Sequence, residues 1–338
     1  MTVRNAQPYL RASIESVQSQ TLSDFELIVV DDASEDGSAE LAESISDPRI
    51  RVLRNSSQLR IAASLNRGIE AARAEFIARL DADDLARPER LERQLGFLEA
   101  RPSIGVVGSA AQLIDSAGRQ IGADRPVTEP AVVQWELHFG NPLLHSSIMI
   151  RRHLLAAYGG YDRLHGEDYE LWVRLSAVTR LANIPESLIS IRKHPGQFSR
   201  EYLDDQEKAT LEIMQGVITR NLGRAVPARE AGLLRAVSLC EAFGSPRAAR
   251  VATGLIRELL AHYLQRASPS AREARHVRRR AAEMLLGLSA HNALRCNRSA
   301  AVFLGQSLAT SPRWTSVRIP GRLAGGLWRR ARRQPVTA

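Results

Sequence analysis

Cysteine is almost absent: Cys240 and Cys296 are the only two in 338 residues. That excludes a disulfide framework and a cysteine zinc cluster. Lysine is nearly missing too. Only Lys193 and Lys208 occur, so the positive charge is carried by arginine. No apolar run approaches the roughly 18 residues of a membrane-spanning helix. Met1–Tyr9 lacks the apolar stretch of a signal peptide, and the expectation is a cytoplasmic protein. No G-x-G-x-x-G follows a strand and no G-x-x-x-x-G-K-[ST] occurs, which argues against a Rossmann dehydrogenase and a P-loop NTPase. A G-x-S-x-G nucleophile elbow is also missing.

Acidic residues run out toward the C-terminus. Residues 1–200 hold 23 basic and 27 acidic side chains, whereas 201–338 hold 23 basic and 10 acidic, a net charge of +13. The last acid is Glu283. A basic end suits an anionic membrane surface, or is simply a solvated tail. Trp314–Arg333 mixes Trp314, Ile319, Leu327 and Trp328 with arginines and could lie on such a surface, although Pro320 and Gly325-Gly326 oppose one clean helix.

What is present is alternation. Leu10, Ile14 and Val17 mark a helix face; Phe25–Val30 is a short apolar run that reads as a buried strand. Further strands are expected at Ile50–Leu53, Phe76–Leu80, Ile104–Gly108 and Ser146–Ile150, with helices over about 36–45 and 62–72 and from Pro88. This spacing predicts an α/β domain, a mostly parallel sheet flanked by helices. Beyond Arg200 the pattern becomes all-helical, over 202–222, 228–243, 247–265, 271–288 and 292–309, and 281–312 faintly resembles one tetratricopeptide unit.

Two acidic clusters directly follow apolar strands: Asp31-Asp32 and Asp81-Ala82-Asp83-Asp84. Open α/β sheets bind ligands beyond their carboxyl strand ends. Carboxylates gathered there repel one another unless a cation or donors compensate. A hard divalent cation shared with substrate phosphates fits. Such aspartates also serve as caps and turn formers. A third acidic pair, Glu167-Asp168, follows Gly166 near a helix start, where acids also favour the helix dipole.

The ordered set Val29-Val30-Asp31-Asp32-Ala33-Ser34-Glu35-Asp36-Gly37-Ser38, Asn66-Arg67-Gly68, Asp81-Ala82-Asp83-Asp84 and Gly166-Glu167-Asp168-Tyr169-Glu170-Leu171-Trp172 resembles glycosyltransferase family 2. Pro88-Glu89-Arg90-Leu91 with Gln94, Val107-Gly108-Ser109 and Arg192-Lys193-His194 match the same pattern, over about residues 1–200. The resemblance implies a GT-A fold and inverting transfer of a sugar from a nucleotide-diphosphate sugar to an acceptor hydroxyl. By the same resemblance Thr2, Asp32, Asp81 and Ala82 bind the nucleotide sugar. Asp83 and His194 hold a divalent metal, Mn2+ or Mg2+. Asp168 is the general base, supported by Glu167. His145 is expected on the acceptor side. The acceptor is a saccharide or lipid-linked saccharide in a bacterial surface polysaccharide or glycolipid. Peripheral contact with an anionic membrane is expected, and a nucleic-acid partner is not.

The implied organisation is a GT-A domain at 1–200, a helical domain at 201–312 and a basic tail at 313–338. The sequence departs from the family pattern at its start, where only Met1–Val3 matches the first strand; an internal start or a truncation is expected, with unpaired neighbouring edges. A loop glycine of the family is replaced near Gln58-Leu59-Arg60. The short first strand also admits a non-catalytic nucleotide-sugar-binding or scaffold protein, which the intact Asp81, Asp83, Glu167 and Asp168 oppose.

Overall fold

The computed structural model describes residues 1–197, 202–294 and 299–311. Two compact units emerge. One comprises Met1–Gln134 and Asn141–Thr210; the other comprises Trp135–Gly140 and the chain from Leu211 onward.

The first unit opens with β1 (Thr2–Val3), α1 (Gln7–Gln18), β2 (Leu27–Asp31), α2 (Ser38–Glu43) and β3 (Ile50–Arg54). The three strands form a parallel sheet in the order β1-β2-β3. All five residues of β2 are buried, which is why its sequence is continuously apolar up to Asp31. Leu10, Ile14 and Val17 of α1 are buried, as their spacing requires.

Next come α3 (Arg60–Ala71), β4 (Phe76–Ala78), β5 (Leu85–Ala86), α4 (Arg90–Glu99), β6 (Ile104–Asp115), β7 (Gln120–Asp124), α5 (Pro130–Glu136), β8 (Met149–Arg151), α6 (Arg152–Tyr158), α7 (Glu167–Leu175) and β9 (Arg180–Lys193). A second sheet runs β4-β8-β6-β9-β5, with β7 paired to β6. It is mixed: β6 and β9 are parallel, while the β4–β8, β6–β8, β5–β9 and β6–β7 pairs are antiparallel. Local alternation announces strands but not their direction, and the β6–β7 hairpin supplies one reversal.

Several boundaries differ from the sequence reading. Residues 145–147 form a 3-10 turn rather than the start of a strand, and β8 begins at Met149. β6 runs to Asp115, well past Gly108. The longest strand, β9, is one the periodicity did not reveal. Its pattern is broken by Pro185-Glu186, which the register skips, so that Ser109 faces Ile184 and Ala110 faces Ser187. A bulge tolerates proline because no ladder hydrogen bond is required of it there.

Helix α4 buries two polar residues among its leucines. Arg90 gives hydrogen bonds to the Arg79 and Ile148 carbonyls (2.6 and 3.3 Å). Gln94 reaches the Val107 and Ser147 carbonyls (3.2 and 2.7 Å). Together they satisfy buried backbone carbonyls just after β4, within β6 and just before β8.

Met1–Val3 pairs with the carboxyl half of β2, Thr2 opposite Val30 and Val3 opposite Asp31. The β4 strand bonds to β8 alone among the described residues. Between β2 and β4 lies a cavity of about 240 Å³, lined by Ile28, Val30, Leu65, Phe76, Ala78 and Ile148 among others.

The second unit contains α8 (Leu203–Leu222, whose first turns belong to the first unit), α9 (Ala228–Ser238), α10 (Pro246–Arg266), α11 (Ala271–Leu294) and α12 (Ser299–Thr310). Ser245 caps α10 by accepting a bond from the Ala248 N–H (3.2 Å). Ser289 and Ser307 of the last two helices bond to the Ala300 and Ala282 carbonyls, so α11 and α12 run antiparallel. Segment 135–140 is tied in by Trp135 against Tyr263 (ring centroids 5.7 Å apart) and by Glu136 paired with Arg280 at 2.6 Å. No helix among the described residues is long and apolar enough to cross a membrane. The basic segment 313–338, with the membrane contact expected of it, lies outside the described residues.

Candidate active site

Asp32 follows β2 directly and is buried. Its carboxylate accepts hydrogen bonds from the Asn55 side chain (2.7 Å) and from the Leu59 and Arg60 backbone N–H groups (2.7 and 2.9 Å). It thereby shapes the 55–60 loop, in which Arg60 adopts a positive φ of 70°. Asp32→Ala removes the partner of three donors, of which the Asn55 amide is buried and the Leu59 and Arg60 N–H groups are partly so, a bond to a charged group being worth about 1.5–3 kcal/mol where it is buried. Urea unfolding is expected to show a loss of about 3 kcal/mol; an unchanged unfolding midpoint would contradict this role.

Asp81, Ala82, Asp83 and Asp84 follow β4 as a tight turn, closed by the Asp84 N–H on the Asp81 carbonyl (3.2 Å). Carboxylate oxygens of Asp81, Asp83 and Asp84 lie within 4.8 Å of one another. Arg79 donates to Asp81 at 2.6 Å. Even so, burial pushes the Asp81 carboxyl above its ordinary range, against the pull of Arg79 and with the repulsion of Asp83. Burial, then the charges of Asp81 and Asp83, push Asp84 up to about 8. Its Oδ1 accepts the Arg192 N–H at 2.9 Å. Arg192 also bonds through Nε to the Asp83 carbonyl (2.9 Å) and lies over the Tyr9 ring. This places the next turn of chain over the cluster, with His194 Nε2 3.0 Å from Asp83 Oδ2.

Three acid side chains and one imidazole therefore converge. Asp81 is balanced by Arg79 and Asp84 by the Arg192 backbone, which leaves Asp83 and His194 as the more open pair. Oxygen donors predominate, and compressed carboxylates of this kind fit a hard divalent cation.

Glu167 and Asp168 open α7, whose N-cap Gly166 has φ 69°, a left-handed geometry that suits glycine. Asp168 Oδ1 accepts its neighbour Tyr169 N–H (2.7 Å), and Oδ2 accepts Asn141 Nδ2 (2.6 Å). Burial raises the Asp168 carboxyl above its usual range. Burial and then Asp168 push Glu167 up to about 7. His145 Nδ1 stands 4.0 Å from Glu167 and 3.9 Å from Asp168.

Of the residues singled out from sequence, Asp83 and His194 meet, Asp81 and Asp84 join them, and Glu167 and Asp168 form a second centre. Ala82 is buried within the turn and belongs to an apolar cluster with Val3, Leu10 and Val29. Thr2 sits in β1 and lines the internal cavity. Arg79, Asn141, Tyr161 and the role of Arg192 escaped sequence reasoning, since nothing local marks them.

Comparison with known proteins decides the family. Residues 1–155 match the model of "Glycosyl transferase family 2". EpsE of Bacillus subtilis, a protein named as a glycosyltransferase, is 35% identical over 209 residues, covering 59% of this chain and 74% of that one. This chain belongs to glycosyltransferase family 2. The glycosyltransferase is also 28% identical to the O-antigen biosynthesis glycosyltransferase WbnJ of Escherichia coli, across 66% of this chain and 89% of that one. Its fold is that of S. aureus TarS residues 1–349, solved in complex with UDP-GlcNAc: TM-score 0.55, 14% identity, 92% and 90% of the two chains covered. The Asp81–Asp84 centre follows the carboxyl end of β4, where open α/β sheets take their ligands, and the Glu167-Asp168 centre opens α7.

Proposed function

We propose that the protein transfers a sugar, with inversion, from a nucleotide-diphosphate sugar to an acceptor hydroxyl, and that Asp168 is the base. The observation that carries this is the Asp168 carboxylate: held by Asn141 and Tyr169, raised above its ordinary range by burial, and adjacent to Glu167. Raising a carboxylate's pKa makes it a better proton acceptor. In the step, Asp168 takes the acceptor hydroxyl proton as that oxygen bonds to the anomeric carbon. The bond from that carbon to the diphosphate breaks, and its electron pair leaves with the nucleoside diphosphate. Asp83 and His194, with Asp81, would hold a divalent cation, Mn2+ or Mg2+. When bound, it neutralises charge on the leaving diphosphate. Asp32 and the 55–60 loop it organises receive the nucleoside, with Thr2 and Ala82 at the same strand ends.

The acceptor in this reading is a saccharide or lipid-linked saccharide, in assembly of a surface polysaccharide or glycolipid. The naming of WbnJ for O-antigen biosynthesis and of AmsE of Erwinia amylovora for amylovoran biosynthesis supports this. The test is calorimetry against a panel of nucleotide diphosphates with Mn2+, followed by nucleoside diphosphate release from the matching sugar donors. Absence of binding by the folded protein would sink the reading. The basic segment 313–338 holds seven arginines and no acid, which supports peripheral binding to anionic lipid. Its deletion is expected to reduce sedimentation with phosphatidylglycerol vesicles at least fivefold, and unchanged sedimentation would refute that contact.

A further inference from the structure

We propose that Tyr161, acting through His145, is a positioning residue for the catalytic carboxylates: its hydroxyl fixes the tautomer of His145 so that an N–H of that ring faces Glu167 and Asp168. The inference rests on the reading of Asp168 as the base.

His145 Nε2 lies 2.9 Å from the Tyr161 hydroxyl, and the opposite ring nitrogen, Nδ1, lies 3.9 Å from Asp168 Oδ2. Burial, with Arg79 nearby, lowers the His145 pKa well below the usual range, so the ring is neutral and carries one N–H. Burial pushes the Tyr161 phenol above its ordinary range, so it keeps its proton and has it to donate. The neutral ring offers one lone pair. Tyrosine donating to Nε2 leaves the proton on Nδ1, pointing at two carboxylates. The opposite tautomer would reverse that bond, take from the phenol proton the acceptor it has at Nε2, and set a lone pair against two acids at Nδ1. An N–H at this distance favours the ionised acids without a full positive charge.

The tyrosine is itself held in place. Asn66, on α3, receives the Tyr161 N–H (2.8 Å) and donates to the Tyr161 carbonyl (2.7 Å), gripping that residue's backbone from both sides. Gly160 lies against the Asn66 amide so closely that a side-chain carbon there would collide with its Oδ1. The His145 ring meets Trp172 of α7 edge-on, centroids 6.1 Å apart, so its plane is set by the helix that carries the two acids. The chain Asn66–Tyr161–His145 therefore joins α3 to the start of α7.

The test combines 15N spectra of the histidine ring with turnover of Tyr161→Phe, which removes only the hydroxyl. In the parent protein the His145 spectrum is expected to show protonated Nδ1 and bare Nε2; in Tyr161→Phe the two tautomers mix. Nucleoside diphosphate release from the donor that binds, UDP-N-acetylglucosamine being the first probe and water the acceptor, is expected to show kcat lowered about tenfold with donor KM unchanged. His145→Asn, which keeps an N–H near the Nδ1 position, should retain several times the kcat of His145→Ala. A proton on Nε2 in the parent protein overturns the proposal. So does unchanged kcat in Tyr161→Phe, or equal loss in the two His145 variants. If the parent protein releases no product, or Asp168→Asn releases it normally, the reading of the base fails, while the tautomer measurement still judges the Tyr161–His145 contact.

Discussion

Asp168→Asn is expected to lower kcat for sugar transfer by about a thousandfold while leaving donor affinity within about twofold. General-base contributions span roughly 10²–10⁴ in rate, or about 3–5 kcal/mol of barrier. Asparagine keeps the size and an oxygen to receive Asn141 or the Tyr169 N–H, so the change removes basicity more than shape. Residual transfer from substrate alignment and leaving-group stabilisation sets the floor. The pH dependence has a defined sign. Asp168 works deprotonated, and burial raises its pKa, while Glu167 sits at about 7. Turnover should therefore rise with pH through the neutral region and level off above it, and Asp168→Asn should flatten that limb. A parent rate independent of pH between 5 and 8 would contradict the assignment, as would normal turnover by the variant.

Asp83→Ala has the second largest expected effect, and it falls on binding. The Asp83 carboxylate lies within hydrogen-bond reach of His194 and close to Asp81 and Asp84. Without it, a divalent cation loses the oxygen donor that faces His194 and is not tied to an arginine side chain. Nucleotide-diphosphate affinity measured with Mn2+ is expected to fall at least a hundredfold, about 2.7 kcal/mol. In the parent protein, Mn2+ with nucleotide at about one hundred times Kd raises stability by roughly 2.7 kcal/mol. That thermal shift should vanish in Asp83→Ala and in the parent protein treated with chelator. The melting temperature of the two proteins without metal should stay close, since Asp83 is among the less buried of these acids. Retention of a full Mn2+-dependent shift in the variant would place the cation elsewhere.

Much of the site was legible because its chemistry coincides with a local pattern. Leu27–Val30 is apolar and buried, so the first charged residues after it, Asp31 and Asp32, mark the strand's carboxyl end, where they are buried as well. Phe76–Ala78 announces Asp81–Asp84 in the same manner, although that strand ends two residues earlier than its apolar run. Gly166 before Glu167-Asp168 marks a helix start that only a flexible residue permits. The helices beyond residue 200 were legible from breaks at Gly223, Ser245-Pro246 and Ser268-Pro269. The β9 strand was not, because Pro185 interrupts its alternation and is accommodated only by the bulge against β6.

The sequence by itself determined the class of the protein, the order of its acidic motifs and the helical character of its second half, since each rests on residues within one or two turns of one another. Tertiary structure alone decided what those acids can do. His194 reaches Asp83 across 111 residues of chain because β9 returns beside β5 and Arg192 fastens the turn. Asn141 reaches Asp168 across 27 residues, and Asn66 holds Tyr161 across 95. Burial then raises Asp84, Glu167 and Asp168 and lowers His145. Protonation depends on the surrounding dielectric and on charges brought near by folding, and neither is a property of neighbours in sequence.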